Sequence, residues 1–323
     1  MEQPSCAHLI RCLNERRHLP MLLEGIKRQT VAPAEILVVD SGSTDGTVEI
    51  AQAAGARVLH IARSEFSFGR AINYGAASAE GEVLVIVSAH TYPLTEVWLE
   101  RLLAPFEHPE VALVYGGQRG DRRTKFSEQQ LFRQWFPDES HADQRHPFCN
   151  NANAAIRRQC WASLPYDEEL PGLEDIDWAR RALSRGYRLV YRHDATVAHV
   201  HEESYGTIYR RYEREAMALS LIAPAERLGL RDALGLMRRA MASDLREAAR
   251  QRVLPSAWWS ILCFRAAQYL GAHRGFRWRG TLTSELRARL YYPRGYAPQP
   301  AALKPAPAVE AQPMAAGVRS DAE

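Results

Sequence analysis

The sequence predicts an α/β protein: a Rossmann-like, mostly parallel sheet with helices on both faces, followed by a helical C-terminal region. Three observations carry this reading. Short continuous apolar runs, such as EILVVD at 35–40 and EVLVIVS at 82–88, recur between segments with helical spacing. A strand with no polar alternation is buried on both faces, which calls for a parallel-type sheet covered by helices. From about Tyr205 the strand signal stops, and long amphipathic, Arg-rich segments take over.

The elements follow in order. Residues 7–11 read as a short buried strand, and Leu19, Leu22, Leu23 and Ile26 mark one face of a helix. The strand at 35–40 ends in a carboxylate. A helix over 47–54, a strand over 57–61 and a small-residue-rich helix over 70–79 lead to 82–88, the strongest strand signal in the chain. A helix over 98–106 and a strand over 111–115 come next. Between 116 and 151 the periodicity weakens in a polar, aromatic, Arg-rich stretch, which reads as a loop over a site. A helix over 174–185 precedes two strand-like segments, 188–191 and 196–200. Helices are expected over 208–222, 230–252 and 256–270, the last carrying Trp258, Trp259, Phe264 and Tyr269. The Ala- and Pro-rich stretch 297–323 reads as a disordered tail. The expected regions are therefore 1–205, 206–295 and 296–323.

Composition narrows the function classes. The 323 residues are 46% hydrophobic, so a sizeable core can form. A formal net charge of +3 gives no argument for nucleic acid. Of the 41 basic residues only Lys27, Lys125 and Lys304 are lysines. The five cysteines, Cys6, Cys12, Cys149, Cys160 and Cys263, are odd in number and lack metal-ligand spacing. The N-terminus has no secretory pattern, and no apolar run approaches the roughly 20 residues that span a bilayer. The expected setting is cytoplasmic, with peripheral contact on the inner face of a membrane through the aromatic and Arg-rich C-terminal helices as a further reading.

Ligands on such sheets bind at the carboxyl ends of the strands, which here means residues 14–15, 40–45 and 88–90. Asp40 ends an apolar strand, and a carboxylate there needs partners, so a ligand contact is expected; Asp45 reads as a cap of the next helix. The turn after the first strand, RCLNERRHLP, contains no glycine, which argues against a nicotinamide enzyme. A sugar nucleotidyltransferase would want a Gly- and Lys-rich phosphate loop near the N-terminus, and none is present. Glu174, Asp175 and Asp177 cluster at a helix start, where the helix dipole alone would favour acids; Asp177 reads as a cap or a solvent-facing residue. The Asn150, Asn151 and Asn153 group reads either as donor or acceptor contacts or as a polar turn entering an edge strand.

The order LNE, VVDSGSTDGT, GRAINYG, an apolar strand and then EDIDW resembles the family 2 glycosyltransferases of the GT-A fold, over about residues 7–205. HVHEESY is similar to a subset that includes rhamnosyltransferase-like enzymes. The resemblance implies an inverting transfer of a sugar from a nucleotide-diphosphate donor to a glycan or lipid-linked acceptor, in bacterial surface polysaccharide or O-antigen assembly. It implies that Asp175 is the general base and that Glu174 orients it or touches the acceptor. Arg11, Leu13, Glu15, Asp40, Ser41, Arg70, Ser88 and Ala89 would hold the nucleotide. The family's acidic triplet, which carries Mg²⁺ or Mn²⁺, is replaced by Ser88-Ala89-His90. His90, His199 and His201 then become the candidate ligands, a set better suited to Mn²⁺ than to Mg²⁺. That departure keeps a second reading open: a catalytically inactive homologue that binds nucleotide sugars or a partner protein.

Overall fold

The computed structural model describes residues 4–280 together with 283, 286, 290 and 291. The expected tail over 296–323 lies outside the described residues. Nine strands form one sheet: β1 (Cys6–Cys12), β2 (Glu35–Asp40), β3 (Arg57–His60), β4 (Val83–Ser88), β5 (Thr91–Pro93), β6 (Val111–Arg119), β7 (His141–Gln144), β8 (Asn153–Arg157) and β9 (Arg188–His199). The helices are α1 (Leu19–Lys27), α2 (Thr47–Ala53), α3 (Phe68–Ser78), α4 (Trp98–Leu103), α5 (Phe126–Trp135), α6 (Arg158–Ser163), α7 (Glu174–Ser184), α8 (Tyr205–Ile222), α9 (Leu230–Arg250) and α10 (Leu254–Phe276). None of the described helices is long and apolar enough to cross a membrane.

The strand order is β3-β2-β1-β4-β8-β6-β9-β5, with β7 pairing β9. The sheet is parallel through β3, β2, β1 and β4. Beyond β4 it is mixed: β8 runs antiparallel to both β4 and β6, while β6 and β9 are parallel. The continuous apolar run of β4 follows from its place at the centre. Val83, Val85 and Val87 pack with Leu19, Leu22, Ile26 and Trp98 on one face. Leu84 and Ile86 pack with Ile72, Ala76, Trp161 and Trp178 on the other. Each such side chain contributes about 1.5–3 kcal/mol on burial. The chain passes from β1 to β2 on one side and returns from β3 to β4 on the other. The carboxyl ends of β1 and β4, where Arg11 pairs with Ser88 in register, therefore flank the crevice of a topological switch point.

Three local readings change. The 116–151 stretch is ordered as the end of β6, α5 and β7 rather than a loop. Its helix escapes periodicity because Ser127 and Glu128 are buried along with Leu131 and Phe132, so burial does not follow apolarity. The two segments at 188–200 are one strand, β9, interrupted by a register shift against β6 between Gly116 and Gln118. The strand β8 is central rather than an edge.

The C-terminal helices α8 and α10 approach very closely. A Cβ on Gly271 would sit 2.3 Å from the Tyr209 carbonyl oxygen, and one on Gly275 would sit 2.2 Å from that of Glu213. Glycine at this i, i+4 pair is what lets the two backbones meet. The α9–α10 hairpin is held by a buried Arg265–Asp244 pair, with two hydrogen bonds at 2.8 and 2.9 Å.

His8 is fully buried in the middle of β1, and neither ring nitrogen has a partner. Its ring lies 5.9 Å from that of Trp98, and burial pushes its pKa down to about 3. In the unfolded chain an imidazole protonates below about 6.5. As pH falls from there toward 3, the unfolded chain binds a proton that the native state refuses. Native stability from this site is therefore full above about pH 6.5 and is lost below it, by roughly 1.4 kcal/mol per pH unit. Replacing His8 with Leu is expected to flatten the acid limb of denaturant-midpoint measurements between about pH 6 and pH 4. An unchanged slope would remove His8 as the cause.

Candidate active site

A cavity of about 750 Å³ opens at the switch point. Its floor comes from the carboxyl ends of β1, β4, β6 and β9, and α5, α7 and α8 close its sides. Of the residues singled out in the sequence, Arg11, Glu15, Ser88, His90, Glu174, Asp175, His199 and His201 line it. Leu13, Asp40, Ser41, Arg70 and Ala89 do not.

The turns that follow β1 and β2 brace each other. Asn14, in the left-handed region at φ 56, accepts the Thr44 amide on Oδ1 at 2.9 Å, and its own amide donates to Ser43 Oγ at 2.9 Å. Asp45 accepts amides from Arg16 and Thr47 at 3.0 and 3.1 Å. It braces the two turns from one residue before the N-cap of α2, which is Gly46, instead of being the cap itself. Asp40 turns its carboxylate onto its own turn, where the Gly42 and Ser43 amides donate to Oδ2 at 2.9 and 3.0 Å. Ser41 Oγ donates to the Cys12 carbonyl at 3.3 Å. Arg70, on α3, donates to Glu168 Oε2 at 2.7 Å and does not line the cavity.

The acidic pair sits in the first turn of α7. Leu173, just before it, is held at φ 54, a strained conformation for a branched side chain. Arg11 reaches across from β1 to Glu174 Oε1 at 3.1 Å, and the Asn151 side-chain amide donates to the same oxygen at 3.3 Å. The Asn151 backbone amide donates to Asp175 Oδ2 at 3.2 Å, and that of Ile176 donates to Oδ1 at 2.9 Å. Burial, and then the neighbouring Glu174, push the Asp175 pKa up to about 7. Asp177 is not solvent-facing. It is buried and bonded to Arg180 at 2.9 Å and Arg181 at 2.6 Å. Asn153 is structural, with Trp98 donating to it at 3.0 Å and its amide reaching the Gly117 and Ala195 carbonyls at 2.9 Å.

His90, His199 and His201 converge, each offering a ring nitrogen within 4.8 Å of the others. Glu128 can only accept when ionised, so the His201 Nδ1 at 2.7 Å must carry its proton. His199 Nδ1 donates to Gln118 Oε1 at 2.7 Å. Burial, followed by His201 and His90, keeps the His199 pKa well below its usual range, so that ring is neutral. The two Nε2 atoms then face each other at 2.9 Å. Ring nitrogens gathered this closely, with Glu128, Gln118 and Glu15 orienting the rings, are an arrangement that can hold a metal. Glu128 adds a buried second oxygen, Oε2, with no hydrogen-bond partner. Burial raises its pKa, but His201 and Arg211 outweigh this and hold it at about 2. His90 completes the group, with Nδ1 2.9 Å from Glu15 Oε1 and Nε2 3.1 Å from Ser88 Oγ. The residues therefore fit a divalent cation that accepts imidazole nitrogen.

Sequence reasoning missed Gln118, Glu128, Arg211 and Glu203, which surround the histidines, and Phe68, Phe132, Trp135 and Phe148, which wall the cavity. The exception in kind was Glu128: an acid four residues before an aromatic, at a position that helical spacing makes inward, was a readable signal.

Residues 9–162 match the model of glycosyl transferase family 2. The O-antigen chain rhamnosyltransferase WbaN of Salmonella anatum is 28% identical over 198 residues, covering 58% of this chain and 62% of that protein. RfbN of Salmonella typhimurium, also an O-antigen chain rhamnosyltransferase, is 25% identical over 206 residues, or 60% of this chain and 65% of its own. The matched part thus spans under two thirds of either relative. Among solved structures, the mannosyltransferase PcManGT from Pyrobaculum calidifontis, in complex with GDP-Man and Mn²⁺, superposes with a TM-score of 0.61 at 17% identity, covering 86% of this chain and 88% of that one. The glucosyl-3-phosphoglycerate synthase of Mycobacterium tuberculosis gives 0.52 at 20%, covering 70% and 82%. These likenesses establish the GT-A fold, and the stretch 9–162 is similar to the glycosyl transferase family 2 domain.

Proposed function

We propose that this protein is an inverting glycosyltransferase that moves a sugar from a nucleotide-diphosphate donor to an acceptor hydroxyl. The observation that carries the reading is Asp175: a buried carboxyl with its pKa near 7, in the same cavity as three converging histidines. A base with a pKa close to working pH combines availability with driving force for proton transfer. Asp175 takes the acceptor proton as the hydroxyl oxygen bonds to the anomeric carbon. The bond from that carbon to the diphosphate oxygen breaks, and its electron pair leaves with the diphosphate. Attack from the face opposite the leaving group inverts the centre. Arg11 holds Glu174 beside the base, and Arg211 and Arg214 place positive charge on the wall. A divalent cation held by His90, His199 and His201 would supply neutralisation of the leaving diphosphate. The likeness to O-antigen chain rhamnosyltransferases supports a role in surface polysaccharide assembly with a deoxyhexosyl donor. Trp258 and Trp259, exposed at the start of α10, support peripheral membrane contact near a lipid-linked acceptor.

Asp175→Asn is expected to leave the thermal shift produced by donor unchanged and to abolish transfer; turnover within about threefold of wild type overturns the base assignment. If the acceptor proton goes to Asp175, kcat/KM falls about tenfold per unit as pH drops below about 7 and levels off above it. A flat profile between pH 5 and pH 8 contradicts that assignment. For the cation, Glu128→Gln is expected to weaken Mn²⁺ binding by roughly 10–100-fold, read from free Mn²⁺ by electron paramagnetic resonance. Unchanged affinity would separate the histidine cluster from metal binding. Full Mn²⁺ and donor binding with no transfer in the wild type would favour the inactive-homologue reading that Ser88-Ala89-His90 keeps open.

A further inference from the structure

A second cavity, of about 600 Å³, lies between α5, α9 and α10, and the proposed transfer does not use it. Four guanidinium groups line it against two carboxylates. Arg265 is matched by Asp244, and Arg250 by Glu247 at 2.9 Å. Arg133 and Arg246 form no ion pair among the described residues. Arg246 uses only its Nε, which donates to the Ala242 carbonyl at 3.1 Å. Arg133 is close enough to Glu247 to help hold that carboxyl below its ordinary range, after Gln251 and Arg250. At the same wall, the side-chain amide nitrogen of Gln130 is buried with no acceptor. The cavity thus holds surplus positive charge, planar donor forks and an orphaned donor. A phosphate oxygen would satisfy all three.

We propose that this cavity is a second ligand site, built for a phosphate-bearing group and separate from the cavity that holds Asp175. It does not depend on the transfer reading. The helix α5 is the wall between the two: Glu128, Phe132 and Trp135 face the first, and Gln130, Arg133 and Gln134 face the second. The phosphate can belong to a free ester or to a lipid headgroup.

The test uses the full chain, with pyrophosphate as the soluble probe and phosphatidylglycerol vesicles as the lipid probe, phosphatidylcholine vesicles serving as control. Arg133→Gln/Arg246→Gln is compared with wild type and with His199→Ala, after circular dichroism has shown native helix content in each. Calorimetry is expected to show saturable pyrophosphate binding in wild type and His199→Ala, weakened at least tenfold in the double variant. Retention on phosphatidylglycerol vesicles, lost in the double variant, would assign the phosphate to a headgroup even where pyrophosphate binds weakly. Binding of neither probe by wild type overturns the proposal, as does equal binding by wild type and the double variant. Loss of the pyrophosphate signal in His199→Ala instead places the anion in the first cavity and also overturns it. Failure of transfer in the earlier experiments leaves these outcomes unchanged.

Discussion

The contact on which the site depends is the ion pair between Arg11 and Glu174, 3.1 Å apart and 163 residues apart in sequence. Two adjacent carboxyls in a buried helical turn repel each other and resist desolvation. Breaking a buried pair by removing one partner typically costs 3–5 kcal/mol, because a charge is left without compensation. Here the guanidinium at the end of β1 compensates Glu174, and Asn151 adds a hydrogen bond to the same oxygen. Asp175 is left with backbone amides as its partners, and its proton affinity is raised. The pair also ties α7 to β1, so the acidic turn is fixed against the parallel half of the sheet.

The histidine cluster shows the same logic with a different charge. Each ring is oriented from outside: His201 by Glu128, His199 by Gln118, His90 by Glu15. The orienting groups come from α5, β6 and the turn after β1, while two of the rings come from the end of β9. Three imidazoles packed this closely would repel if all were protonated. Burial keeps His199 neutral, and Glu128 and Arg211 form an ion pair at 2.6 Å that sets the charge around His201. The replacement of an acidic triplet by Ser88-Ala89-His90 therefore does not leave the strand end without donors. The candidate donors are His90 at that strand end and His199 and His201 at the end of β9, with Glu15 and Glu128 behind them.

Much of the fold was legible because burial follows pattern in the parallel half. The run at 83–87 is apolar on both faces because helices cover both, and between it and EILVVD the chain makes two crossovers, through α2 and α3. Periodicity fails where buried polar groups replace apolar ones. On α5, Ser127 and Glu128 are as buried as Leu131 and Phe132, so a helix read as a loop. In β9, residues 193–196 bulge between two paired stretches, and Arg192 bonds Asp194 across the start of the bulge, so one strand read as two. Within the site, the motif positions on the cavity wall were readable, and those turned inward were not distinguishable from them. Asp40 and Arg70 look like ligand contacts in one dimension. The structure adds that Asp40 accepts from the Gly42 and Ser43 amides and that Arg70 donates to Glu168, contacts one dimension does not show.

The helix α5 explains why so polar a segment is ordered. It has only 10 residues, and isolated helices of that length are marginal in water. It is held because neighbours take up one face along its length. Glu128 accepts from His201 and Arg211 on one side, Leu131 joins Tyr212 and Phe264 in a shared apolar cluster, and Phe132 stacks 5.7 Å from His199. Its order therefore depends on the sheet domain and on α8 and α10 together. A change that loosens the α8–α10 contact at Gly271 or Gly275 would reach the histidines through this helix, although neither glycine touches the cavity. The C-terminal helices are in that sense part of the site's construction, since the side chains that orient His201 rest on them.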